Sequence, residues 1–431
     1  MVLSTTLSAK TLFSMHGSNT VGSKLGPQLA KSYHKELHHA RNIRILKTDI
    51  AENKIVRGFH PATNEPLDIK IQAHGSSTGF KALDSGAAEI CMSSRQIKAT
   101  EAKKLISLGD LYDFKSENII ALDGIAIIVH KSNPLKTLTK STLTDIFSGK
   151  ISTWGELSDI YKKSALKSRK INIYARDNNS GTYDTFNKLV LTKTKKLAHN
   201  ARRYESNAVL SDDVASDPAA IGFVSLPNIR NAKAISVSVG MGSARKPEAL
   251  TVATEEYALS RRLYMYISEY QQNQYAKDFL KHVNSISGQK VVTHSGYVSQ
   301  NIYPTTIKIH DYYPTEYKQL TRGAKRLSVN IYFKQGTLTP DNRAKRDLLR
   351  VSNFIKSLRI KPKHIMLFGF SEDTDFKMFN ISLSESRADF IELLLKKQGI
   401  TIDRIRGFGS VNPVAIKSEK AKNRRVEIWI K

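Results

Sequence analysis

The residues Arg176-Asp177-Asn178-Asn179-Ser180-Gly181-Thr182 follow the apolar run Ile171-Asn172-Ile173-Tyr174 and precede Tyr183-Asp184-Thr185-Phe186-Asn187-Lys188-Leu189-Val190. This reads as a strand, a tight turn and a helix start. In such a turn the free N–H groups of the first helical turn, the Ser180 and Thr182 hydroxyls and the Arg176 guanidinium can all point at one anion, while Gly181 lets the backbone come close. That donor set suits a tetrahedral oxyanion. Ser and Thr also open helices for capping alone, so a single turn leaves both readings open.

Two further turns share the pattern. Gly17-Ser18-Asn19-Thr20-Val21 follows Leu12-Phe13 and precedes Leu25, Leu29 and Tyr33. His74-Gly75-Ser76-Ser77-Thr78-Gly79 follows Leu67-Asp68-Ile69-Lys70-Ile71 and precedes Phe80-Lys81-Ala82-Leu83. Three such turns meeting at one point would make a cage of neutral donors plus one arginine.

Composition bounds the partners. With 431 residues and 40% hydrophobic content the chain can build two or three cored domains. The 67 Lys and Arg against 39 Asp and Glu leave +28, spread along the sequence. Such a field gathers anions: small oxyanions, acidic wall or lipid polymers, or nucleic acid. Zinc-finger spacing, a basic heptad region and aromatic-studded basic strands are all missing, which argues against nucleic acid. The single Cys91 excludes an internal disulfide and reads as a buried core residue, and no Cys/His cluster suggests a metal or cofactor. No run reaches the roughly 20 apolar residues of a membrane span. Val2-Leu3-Ser4-Thr5-Thr6-Leu7-Ser8-Ala9 reads like the tail of a signal peptide, so the expectation is an export signal that is missing or truncated.

The rest of the chain has α/β rhythm. Residues 41–66 suit an extra hairpin, and Ala121–His130 reads as a strand buried on both faces. Thr139 caps a helix over Lys140–Phe147, a further helix is expected over Leu189–Ala198, and residues 301–326 lose all periodicity and read as a linker. Beyond it come strand Leu327–Phe333, helix Pro340–Leu358 capped by Thr339, strand His364–Phe370, helix Ser384–Lys397 ending at Gly399, and strands Arg404–Gly407 and Arg425–Ile430.

These residues carry two resemblances. The first 300 or so residues resemble the PstS phosphate receptors of ABC transporters. The resemblance lies in the three turns, Ser93-Ser94-Arg95, Asp123-Gly124-Ile125-Ala126, Leu143 through Trp154, Asp217-Pro218-Ala219-Ala220-Ile221-Gly222-Phe223 and Leu259-Ser260-Arg261-Arg262-Leu263-Tyr264. It implies an α/β, two-lobed, type II periplasmic binding protein over 1–302, with lobe one at about 10–96 plus 222–302 and lobe two at about 97–221. Thr20, the Val21 backbone, Ser76, Arg176, Ser180, Gly181 and Thr182 would contact phosphate, with Ser18, Asn19, Ser77, Thr78, Ser94 and Arg95 completing the candidate set. Two positions depart from the family. Ser94 stands where many members carry an aspartate that accepts the proton of hydrogen phosphate, and Asn178 stands where an acid usually orients the arginine. Losing that carboxylate weakens the basis for rejecting sulfate.

After a linker at 303–326, residues 327–431 resemble the OmpA-like peptidoglycan-binding domain, an α+β fold of order β-α-β-α-β-β. The carriers are Gly369, Asn380 through Ala388, Gly399-Ile400, Gly407-Phe408-Gly409, Pro413 and Asn423-Arg424-Arg425-Val426-Glu427-Ile428. By that resemblance Arg387 and an acid fifteen positions earlier would hold the diaminopimelate stem, with Asp373 and Asn380 alongside. That position holds Glu372, and its extra methylene displaces the carboxylate by roughly 1.5 Å. Asn380 and Arg425 also read as residues that fix the fold.

The combined expectation is a monomeric, non-enzymatic periplasmic phosphate receptor tethered to peptidoglycan at the wall or outer membrane, with an ABC permease as candidate partner. The alternative is a structural or adhesive envelope protein with a vestigial or sulfate-type cleft. A phosphatase using Ser180 would need a base, and only His16 and His74 lie near the turns.

Overall fold

Residues Glu117–Val129 form a thirteen-residue strand with every position buried. The near-continuous apolar sequence explains this, since each fully buried isoleucine contributes about 2 kcal/mol of transfer energy. Around it the computed structural model describes residues 9–431 apart from 158, 163, 193–194, 240–243, 310, 312, 334–336, 339, 360–361, 375 and 412–421. Val2–Ser8, Thr339 and Pro413 lie outside the described residues. The chain divides into two units: residues 1–237 with 259–299, and residues 238–258 with 300–431.

In the first unit a single eleven-stranded sheet runs in the order Arg41–Lys47, Asn53–Phe59, Pro66–Gln72, Lys10–Gly17, Ile90–Ser93, Ser260–Tyr266, Glu117–Val129, Ala220–Ser225, Asn172–Arg176, Arg202–Tyr204, with Lys233–Ala234 also pairing to the long strand. Lys10–Gly17 is parallel to Pro66–Gln72 and to Ile90–Ser93. Asn172–Arg176 is parallel to Ala220–Ser225. The strand Ser260–Tyr266 and the long strand are antiparallel and form the seam between the two groups of parallel strands. Each group has its own apolar core: Phe13, Leu29, Tyr33, Ile69 and Phe279 on one side, Ile128, Tyr174, Leu210 and Val224 on the other. This is the two-lobed arrangement expected. The hydroxyl-rich turns leave the carboxyl ends of parallel strands, where open α/β sheets bind their ligands.

The hairpin at 41–66 is present as Arg41–Lys47 and Asn53–Phe59. Thr139 caps Lys140–Phe147, its hydroxyl accepting from Thr142 N. Among the described residues the helix expected over Leu189–Ala198 does not form: the turn helix Gly181–Phe186 ends in a wide turn, Asn187–Leu191, and Thr192 at φ +61° takes the chain out of it. The helical residues on that side are instead Asn207–Ser216, capped by Ser206.

In the second unit a five-stranded sheet runs Pro304–Thr305, Lys325–Tyr332, Arg425–Ile430, Ile365–Phe370, Arg404–Gly407. Helices Asn342–Ser357 and Lys377–Lys396 cover one face through Leu327, Val329, Ile331, Val351, Leu367, Ile391 and Val426. The first helix is capped by Asp341, whose carboxylate accepts from Ala344 N at 2.8 Å, and Pro340 lies before the helix. The second starts seven residues earlier than its apolar spacing suggested, so Asn380 is helical.

The residues read as a patternless linker carry a short strand and a helix, Thr315–Thr321. Tyr317 of that helix is buried against Phe368, Phe370, Phe408 and Trp429 on the second face of the sheet, and its hydroxyl donates to Glu427 at 2.8 Å.

Period-two alternation places Arg326, Asn330 and Tyr332 on that second face, and the segment 238–258 satisfies them. The Thr254 carbonyl accepts from Asn330 Nδ2 at 3.1 Å and from the Tyr332 hydroxyl at 2.5 Å. The buried Glu256 carboxylate pairs with Arg326 and, at 2.8 Å, with Arg245. Arg343 donates to the Ala253 carbonyl at 2.6 Å and meets Glu255 at 3.1 Å.

Candidate anion-binding site

Three of the turns meet. Thr20, in the short helix Asn19–Gly22, and Thr182, in the helix Gly181–Phe186, bring their hydroxyl oxygens to 3.0 Å. Ser76, first residue of the helix Ser76–Asp84, accepts from Ser94 N at 3.1 Å, and its Oγ lies 3.5 Å from Ser94 Oγ. Gly181 packs against this pair so closely that an added Cβ would stand 2.3 Å from Ser76 Oγ and 2.6 Å from Ser94 Oγ. Gly75, at φ +110°, lies against the backbone of Asn179, where a Cβ would stand 2.3 Å from the carbonyl oxygen. Thr20 and Thr182 lie 162 positions apart in the sequence, and the sheet order gathers them.

Arg176 is 1% exposed. Its Nε donates to the Tyr204 carbonyl at 3.1 Å and its Nη2 to the Glu205 carbonyl, while Nη1 has no partner among the described residues. Burial brings its pKa down to about 10, with Asp177 opposing and the like charge of Arg261 adding to the fall. A desolvated guanidinium with an unsatisfied N–H is the group that an anion would stabilise most.

The other candidates divide. Ser180 caps its helix, its Oγ accepting from Thr182 N and Tyr183 N at 3.2 and 3.3 Å. Val21 N donates to Ser18 O at 3.1 Å within the tight turn, and Ser18 itself is buried. Asn19 Nδ2 donates to Glu52 at 2.7 Å, and its Oδ1 accepts from Asn207 at 3.3 Å. Thr78 donates to the Gly75 carbonyl, and Ser77 accepts from Arg95 at 3.2 Å.

Arg95 differs most from its expected place. Its guanidinium is bound by Glu101 at 2.6 and 2.7 Å and by Asp184 at 2.8 Å, so its charge is neutralised within the protein. Arg261 and Asp123, absent from the candidate set, stand at the same place: Arg261 Nη2 lies 3.4 Å from Thr20 Oγ1. The clue was a charge inside each of two apolar strand patterns.

In the second unit Arg387 is 1% exposed, with Nη1 3.5 Å from the Phe370 carbonyl and Nε unpartnered among the described residues. Burial, then Arg424, lowers its pKa to about 10, and Glu372 opposes them. Glu372 pairs with Arg424 at 3.3 Å. Asn380 closes the turn before its helix, donating to the Thr374 carbonyl at 3.1 Å, and reaches Asp373 at 3.5 Å.

A family model described as the PBP superfamily domain matches residues 53–285, more than half of the chain. The chain belongs to the PBP superfamily. Its relatives there include the phosphate-binding protein PstS of Staphylococcus epidermidis, 33% identical over 243 residues, which are 54% of this chain and 70% of that protein. PstS of Staphylococcus saprophyticus is 32% identical over 244 residues, covering 55% and 72%. A structure from Clostridium perfringens, described in its name as a phosphate ABC transporter substrate-binding protein with bound phosphate, is 25% identical at a TM-score of 0.52, covering 67% of this chain and 99% of that one. The OmpA family model matches residues 332–427. This is a PstS-like PBP unit joined to an OmpA-family domain. No helix among the described residues is long and apolar enough to cross a membrane.

Proposed function

We propose that the protein is a periplasmic receptor for inorganic phosphate, held to the cell wall by its OmpA-family domain, and that it acts as a monomer serving an ABC permease. The observation that carries this reading is the unpaired Nη1 of buried Arg176, in a site where the Thr20 and Thr182 hydroxyls meet at 3.0 Å. Thr20, Ser76, Ser94, Arg176, Gly181 and Thr182 would surround the ion. Calorimetry with phosphate should give a dissociation constant of about micromolar or tighter, near −8 kcal/mol. Arg176→Ala should abolish it. No heat with phosphate, sulfate or arsenate would refute the receptor.

Ser94 favours a second ligand, sulfate, because a serine oxygen does not repel a fully ionised anion as a carboxylate does. Sulfate titration beside phosphate measures the discrimination. A receptor also accords with the histidines: His74 is held by Glu205 at 3.0 Å and Asn53 at 2.7 Å, and Ser180 Oγ is taken up with backbone amides.

For the OmpA-family domain we infer peptidoglycan binding through Arg387, with Glu372, Asp373 and Asn380 beside it. The envelope location follows from that inference. Sedimentation with peptidoglycan should survive moderate salt and fail in Arg387→Ala. Retention that simply fades with ionic strength would mean that the +28 charge of the whole chain, and no specific site in this domain, grips the acidic polymer.

A further inference from the structure

Arg261, on the strand Ser260–Tyr266, sits directly opposite Asp123 on the long antiparallel strand. Its Nε and Nη2 both donate to Asp123 Oδ2, at 2.9 and 2.6 Å. Asp123 Oδ1 accepts from Leu226 N at 2.9 Å, so both carboxylate oxygens are engaged and the guanidinium is held from behind. Asp123 is fully buried and Arg261 is 5% exposed.

What remains of Arg261 points to a ligand. Nη2 also reaches Thr20 Oγ1 at 3.4 Å, the hydroxyl that meets Thr182. Nη1 has no partner among the described residues, as Arg176 Nη1 has none. The two guanidinia are near enough for Arg261 to depress the pKa of Arg176. Among the described residues each of the two buried guanidinia keeps an unsatisfied N–H, and Arg176 has no carboxylate of its own as Arg261 has in Asp123, so a negative group joining them would relieve both. The carboxylates that act on Arg176 are engaged elsewhere: Asp177 with Asn179 N, Glu52 with Asn19, Glu205 with His74.

We propose that Arg261 is a second guanidinium ligand of the bound oxyanion, donating from Nη1 beside Thr20. This rests on the receptor reading above and extends it. With Asp123 counted, Arg176 and Arg261 leave one net positive charge for the anion, and the second guanidinium arrives from the seam between the lobes as an N–H donor held in place by its carboxylate.

The test is calorimetry with inorganic phosphate on the full chain and on the double variant Arg261→Met, Asp123→Leu. Removing both charges strands neither of them and leaves the net charge unchanged, so a loss of affinity reports a lost contact and not a weaker field. The expected loss is about tenfold to a hundredfold, the range for a hydrogen bond to a charged partner. A double variant that folds and binds phosphate like the wild type overturns the proposal while leaving the receptor intact. A wild type that binds no oxyanion overturns both. Arg261→Lys, which retains the ion pair but lacks the second arm, gives an independent reading. It should lose about tenfold, and wild-type affinity there would count equally against Arg261 as a ligand.

Discussion

Arg95 Nε lies 2.8 Å from Asp184 Oδ2, and these two residues come from segments on opposite sides of the site. With Glu101 bound to the same guanidinium, the cation is spent on shaping the site wall. Arg95→Met should therefore lower phosphate affinity by about tenfold or less, since it removes one contact of the closed arrangement worth about 1–2 kcal/mol. Arg176→Ala should lose far more. Equal losses in a calorimetric comparison would mean that Arg95 reaches the ion after all.

The two glycines at the meeting of the turns should separate folding from binding. Gly181→Ala puts a methyl group onto Ser76 and Ser94, while its backbone conformation is one that alanine accepts. Its melting temperature without ligand should fall only modestly, since the clash is with two serine hydroxyls and not with backbone, and its phosphate affinity should fall by about tenfold or more. Gly75→Ala should do worse, because the clash is with backbone and the φ of +110° is itself strained for alanine. Wild-type phosphate affinity in both would show that the turns do not close this tightly on the ion.

His34 is fully buried, with Nε2 3.2 Å from the Val56 carbonyl, and burial brings its pKa down to about 4. The unfolded chain binds its proton near 6.5, so the first unit gains stability as pH rises between about 4 and 6.5 and loses it on acidification through that window. The contribution reaches about 3 kcal/mol. Denaturation of wild type and His34→Gln at several pH values should show a shallower slope in the variant.

Glu256 is the counterpart in the second unit. Burial alone would raise its pKa, but Arg326, Arg245 and Arg425 prevail and hold it well below the usual carboxylate range. Its stabilisation is full above about pH 4.3 and is lost as pH falls below that. Glu256→Gln should destabilise the unit by about 3 kcal/mol, because it leaves buried Arg326 and Arg245 to share what remains, with Glu427 at 3.3 Å from Arg326 already paired to Arg425. Buried Trp429 lies in this unit and Trp154 in the other, so a Trp154→Phe background lets fluorescence follow the second unit alone. Residues 300–431 expressed without 238–258 should show the same loss more severely.

Much of this was legible because local chemistry and global placement agree. A strand, a run of Ser, Thr and Gly, and an amphipathic helix announce themselves within ten residues, as at Gly17, Gly75 and Arg176. Ala121–His130 is apolar enough to allow no other reading, although the strand itself begins four residues earlier, at Glu117, where the sequence turns polar. What escaped depends on partners far away in the chain. Arg261 looks like a surface charge until Asp123, 138 positions earlier, is seen beside it. Arg95 looks like a ligand until Asp184 and Glu101 are seen to claim it. Tyr317 sits in a stretch without period because a helix of seven residues is too short to display one.

The exchange of residues 238–258 sets an order of events during synthesis. Glu256 leaves the ribosome seventy positions before Arg326, so its carboxylate waits for a sheet that has not yet been translated. A gene fusion made at residue 300 would separate the sheet from the chain that finishes it. The OmpA-family domain therefore draws on sequence that lies well before residue 332, where its family match begins.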